Sequence, residues 1–219
     1  TLVQGASGGP IGLSGNNTYS GGTTLSSGTL VVGSNTALGT GTLTLNGGTV
    51  LQYANVTLAN NFTLAGSATI SGTTPFAING TGTLSSGSIL TVNNTSGTVT
   101  LGGVLSGTGG ITQNGVGGTL TLRNGNSYTG VTTLTSGTLQ ATGGNNALGT
   151  GILNLNGGTL ESLGLSTLNN SVLNVTSTSN LSGFNFTINN GVVLSSGTIL
   201  NLNNATINFN GVISGTGGI

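Results

Sequence analysis

The sequence predicts an all-β chain folded as a parallel β-solenoid, a three-sided stack of about ten coils of roughly 21 residues. Three observations lead there: short runs alternate apolar and polar residues, one long unit occurs twice, and a finer spacing recurs inside each unit.

The long repeat is direct. GNNTYSGGTTLSSGTL (15–30) aligns with NGNSYTGVTTLTSGTL (124–139), and NTALGTGTLTLNGGTV (35–50) with NNALGTGILNLNGGTL (145–160). GVLSGTGGI (103–111) returns as GVISGTGGI (211–219). The offsets are 109, 110 and 108, a drift that surface turns can absorb. A repeat of this kind implies stacked supersecondary units. The chain therefore reads as one continuous segment of two units, about 1–109 and 110–219, each expected to hold five coils. Ile219 falls in phase with Ile111 and Leu2. The parent chain is then expected to continue in the same way, or copies to stack end to end.

The fine period comes from Leu43, Leu64, Leu84 and Leu105, spaced 21, 20 and 21. Ten rungs at the usual strand spacing make a rod of roughly 48 Å. In Thr42-Leu43-Thr44-Leu45-Asn46 the leucines share one side and the polar residues the other, and Ile199–Asn203 and Ile207–Asn210 repeat the pattern. Period-two alternation marks strands, so Leu43, Leu45, Leu153 and Leu155 are expected inward and Asn156 outward. Ser-Gly and Asn-Gly steps such as Ser27-Gly28, Asn46-Gly47 and Ser136-Gly137 punctuate them, where residues tolerant of positive φ suit turns. Asn-Gly is also a hairpin signal, but short strands with a coil-sized subperiod favour the parallel arrangement.

Composition narrows the chemistry. The 219 residues contain one basic side chain, Arg123, and one acidic, Glu161, with no His, Cys, Met or Trp. Zero net charge removes electrostatic steering toward nucleic acid or anionic lipid, and with it the repulsion that keeps soluble proteins apart. No apolar run reaches the length of a membrane helix. A glycosidase needs two carboxylates in one cleft, and triads or zinc sites need His, Cys or paired acids. No catalytic, cofactor-binding or metal-binding residue is therefore assigned, and no enzyme activity is expected.

The strings NTYSGGTTLSSGTLVVGSNTALGTGTLTLNGGTV (17–50) and NSYTGVTTLTSGTLQATGGNNALGTGILNLNGGTL (126–160) resemble the autotransporter-associated β-strand repeat of bacterial passenger domains. SGTGGITQNGVGGTLTL (106–122) is similar to the linker that precedes it. The resemblance implies a right-handed parallel β-helix displayed at or beyond the bacterial cell surface, hence an extracellular structural or adhesive fibre segment. The chain departs from that pattern in having no Lys and no Asp.

The remaining features have simpler readings. Arg123 and Glu161 stand a little under two coils apart and read as incidental surface positions. Gly107-Thr108-Gly109-Gly110 lacks the following Lys of a phosphate-cradling loop and reads as turn chemistry. Tyr19 and Tyr128 occupy equivalent places and read as corner packing. Thr42/Thr44, Thr98/Thr100 and Thr119/Thr121 present Thr-X-Thr pairs, which leaves an ice-binding or carbohydrate-binding solenoid surface as the alternative to a structural rod. The expected partners are other copies of the chain, end to end and side by side, and surface or matrix glycans.

Overall fold

A computed structural model describes residues 2–5, 9–203 and 206–219. Every regular element among them is a strand, and every strand pairing is parallel. The strands form three sheets of six, eleven and nine members, the sides of one solenoid. They are called here the first, second and third faces. A coil crosses them in that order, as in Leu43–Leu45, Thr49–Gln52 and Val56–Leu58. The second face is unbroken over eleven rungs, ten steps of about 4.8 Å.

Alternation sets which residues point in. Leu43, Leu45, Leu153 and Leu155 are fully buried while Thr44 and Asn154 between them are half-exposed. In-register pairing stacks the inward residues into columns. On the first face Leu25, Leu45, Leu64 and Leu84 lie over one another. On the second, Leu134, Leu155, Val175 and Leu194 do the same, and on the third Phe76, Val99, Leu120, Leu139 and Leu160. Bulk is alternated within a column. Gly82 separates Phe62 from Leu105, and a Cβ there would collide with both side chains.

Two sequence expectations need correction. The leucine series is not one column: Leu43 pairs with Phe62 rather than Leu64, and Leu105 lies over Gly82 rather than Leu84. The first of these coils is therefore shorter than the apparent period and the second longer. Each strand has two inward positions, one on either side of an outward residue, and counting from the wrong member shifts the apparent period. Nor does a unit hold five coils. Leu2–Gln4 lies on the first face, but its counterpart one unit later, within Gly110–Gln113, lies on the second. Thr23–Leu25 and Thr132–Leu134 differ in the same way, and Thr29–Val32 and Thr138–Ala141 occupy the second and third faces. One unit therefore advances the chain by about five and a third coils.

The corners differ between units. Thr159–Leu168 and Ser179–Ile188 run through a bulge between Ser162 and Leu165. Their second halves, with Thr206–Phe209, stack on the side where residues 146–150 lie. Ile199, expected within a strand, forms only an isolated bridge to Gly218 and is exposed, and Leu202 is also largely exposed on the last coils.

Replacing Leu155 with Ala should cost roughly 2–5 kcal/mol, because the column above and below cannot close the cavity. Asn156 is exposed and accepts a hydrogen bond from the Thr176 hydroxyl, so Asn156→Ser should cost at most about 1 kcal/mol. Denaturant unfolding of the two variants gives both values.

Candidate functional site

The most elaborate side-chain chemistry lies inside the corners. Turns leave carbonyl groups that no ladder satisfies, and buried Asn and Gln amides supply the donors. Asn126 links three coils: its Oδ1 accepts from the Leu105 amide (2.8 Å), and its Nδ2 donates to the carbonyls of Ala147 (2.6 Å) and Arg123 (3.1 Å). Two positions on, Tyr128 is completely buried, with its hydroxyl 2.6 Å from Thr132 Oγ1. The Thr132 hydroxyl donates to the Leu148 carbonyl at 3.2 Å, so Tyr128 is the donor to Thr132.

The first unit builds the same set. Asn17 Nδ2 donates to the Ala37 carbonyl (2.7 Å), and the Tyr19 hydroxyl is 2.6 Å from Thr23 Oγ1. Asn60 and Asn170 each bond two or three carbonyls of the Ala-Leu-Gly-Thr-Gly turn before them. Gln4 and Gln113 reach the carbonyls of Gly9 and of Gly115 and Gly118. Gly137, at φ 70°, lies against the Gln113 amide with no room for a Cβ. Alternation alone does not announce these residues. Their signal is an Asn or Gln repeated at the unit offset, as in Gln4/Gln113, Asn17/Asn126 and Asn60/Asn170.

Burial differs between the two copies. Tyr19 is only half-buried in the N-terminal coils, whereas Tyr128 has coils on both sides. Burial pushes the Tyr128 phenol well above its ordinary value of 10.0, against the smaller opposing effect of its bond to Thr132.

The outer surface carries ladders of its own. Thr29, Thr49, Thr69, Thr91, Thr112 and Thr133 follow one another in register on the second face, continued by Asn154 and Asn174. Coils of unequal length hide this row from a fixed-period search. Of the Thr-X-Thr pairs, Thr98/Thr100 lies directly over Thr119/Thr121 on the third face, while Thr44 belongs to the first. The two-wide pattern then ends, because the next coils carry Gln140 and Glu161 in the second row. Thr121 is almost completely buried beneath its neighbours rather than open to solvent. Arg123 sits just past the strand Thr119–Leu122, and Glu161 lies within the third face. Gly107 and Gly110 end one strand and begin the next, with Thr108 and Gly109 as the turn between them.

The fold and its corner chemistry define a tandem-repeat parallel β-solenoid. Two stretches of it, residues 13–32 and 117–141, match the passenger-associated-transport-repeat, once in each unit. These stretches contain the Asn, Tyr and Thr of the corner set in each unit. No curated protein and no solved structure matches the chain.

Truncating Asn126 to Ala leaves two buried backbone groups, the Leu105 N–H and the Ala147 carbonyl, unpaired and should cost roughly 2–5 kcal/mol. Asn17→Ala, in the half-exposed copy, should cost about 1 kcal/mol; urea unfolding separates them. The raised Tyr128 pKa sets an alkaline limit. A phenol whose folded pKa lies above its unfolded value stabilises the fold fully below the unfolded pKa, and the contribution is lost as pH rises beyond it. The melting temperature should be nearly flat between about pH 5 and 9 and fall above about pH 10. Tyr128→Phe should weaken the fold slightly at neutral pH and remove much of that alkaline fall.

Proposed function

We propose that this chain is a non-catalytic stretch of a stiff passenger rod displayed outside the bacterial cell, continued along its axis by further coils of the same kind. The observation that carries the reading is the combination of an eleven-rung unbroken ladder with corner amides that bolt each coil to its neighbours. Such a rod has few exposed loops for a protease to enter, and its stiffness comes from nearest-neighbour stacking. The match to a passenger-associated repeat supports display at the surface.

Axial stacking would cover the apolar residues of the last coil. Ile213 and Ile219 are 40% and 54% exposed, while Leu105 and Ile111, at the same places in the preceding unit, are fully buried. An uncovered parallel rung is a row of unpaired backbone groups, ready to accept another strand. With formal net charge +0 the rods also lack repulsion between their sides, which favours bundling and a structural or adhesive role.

Negative-stain imaging and light scattering of the purified segment test the axial part. The expected result is rods that lengthen with concentration in steps of about 48 Å, and a dispersed monomer at millimolar concentration would overturn it. Antibody labelling of intact producing cells tests display, with labelling confined to lysed cells as the contrary result.

A further inference from the structure

The only guanidinium and the only side-chain carboxylate of the chain stand beside the same depression on the third face. There Thr100, Thr121, Gln140 and Glu161 follow one another in register on four successive coils. The last three hydrogen-bond in one direction. The Thr121 hydroxyl donates to Gln140 Oε1 (2.7 Å), and Gln140 Nε2 donates to Glu161 Oε2 (2.6 Å). An ionised carboxylate can only accept, so Glu161 determines which way the Gln140 amide points. Alongside this row runs a cleft of about 440 Å³, lined among others by Thr98, Thr100, Thr121, Arg123, Gln140 and Leu163. The Arg123 side chain is exposed and forms no hydrogen bond or ion pair with the described residues.

The two units isolate what this arrangement is for. At the places of Thr121, Arg123, Gln140 and Glu161 the first unit has Gly12, Ser14, Val31 and Leu51. The solenoid forms in that unit with none of the four polar groups, while the hydrogen bonds of the Asn–Tyr–Thr corner recur in both. Three of the four line one concave site, and the fourth, Glu161, orients the Gln140 amide there. Together they place a free cation and an amide of fixed orientation beside the Thr98 and Thr100 hydroxyls.

We propose that this cleft binds a carboxylate-bearing saccharide of the uronic acid type. Arg123 takes the carboxylate, for which its planar fork of N–H donors is matched. The Thr100 hydroxyl and the second N–H of Gln140 meet sugar hydroxyls, which both donate and accept, while the nearly buried Thr121 acts through its hydrogen bond to Gln140. Leu163 covers an apolar patch of the ring. Glu161 acts through Gln140 as a positioning residue and does not line the cleft. The volume lies within the range of small-molecule sites. The proposal does not depend on how the rod is displayed or assembled, since binding by the isolated segment and display on cells fail separately.

Calorimetric titration of the segment with an oligogalacturonate, its methyl ester, a neutral galactose oligomer and acetate provides the test. The acid oligomer should bind, and esterification or Arg123→Gln should each weaken it by about tenfold or more. Thr121→Val and Glu161→Gln should weaken the oligomer and leave acetate unaffected, with melting temperature monitored to show that the fold persists. Equal affinity for acid and ester, unchanged binding by Arg123→Gln, acetate binding as tightly as the oligomer, or no binding of the oligomer would each overturn the proposal.

Discussion

The constraint on which this molecule depends is the parallel ladder between successive coils. Each coil must present its strands about 4.8 Å from the last, in register, on all sides at once. That demand determines which residues can point inward, because an inward side chain must fit those stacked one rung above and below as well as those from the other faces of the common core. It also leaves the corners as the places where length can vary. The short coil from Leu43 to Phe62 and the long one from Gly82 to Leu105 coexist because the turns, and not the strands, absorb the difference.

Corners that vary in length leave backbone groups without ladder partners, and the chain meets this with neutral amides and hydroxyls. Asn126, Asn170 and Gln113 satisfy carbonyls from turns of their own and adjacent coils. The solution is incomplete: the oxygens of Gln52, Asn94, Gln113 and Asn170 have no donor while their amide nitrogens are engaged. A turn rich in carbonyls can use only the donor half of an amide. Neutral donors nonetheless avoid the far larger desolvation cost of a buried charge, which fits a chain that has almost dispensed with charge.

Much of this was legible in the sequence. Alternation alone places Leu43, Leu45, Leu153 and Leu155 inside, and the long repeat with its finer period leads to a parallel stack. What escaped depends on adding up turn lengths along the chain. A small error of register at Phe62 and again at Leu105 is enough to hide the threonine row on the second face and to misjudge how many coils a unit fills. The amide corners escaped for a different reason: Asn126 acts on Leu105 and Ala147, a coil away on either side, and such contacts exist only once register is known. The gathering of Thr121, Gln140 and Glu161 in one row is likewise a product of register, since nothing in their linear spacing distinguishes them.

The advance of five and a third coils per unit means that successive units do not present their surfaces on the same side of the rod. Twin segments such as Thr23–Leu25 and Thr132–Leu134 belong on different faces, although each pairs in the same register with equivalent neighbours, Leu2–Gln4 and Gly110–Gln113. A feature carried once per unit is therefore turned by about a third of a revolution from one copy to the next. Similar copies spread their outer residues around the axis instead of lining them up along one side.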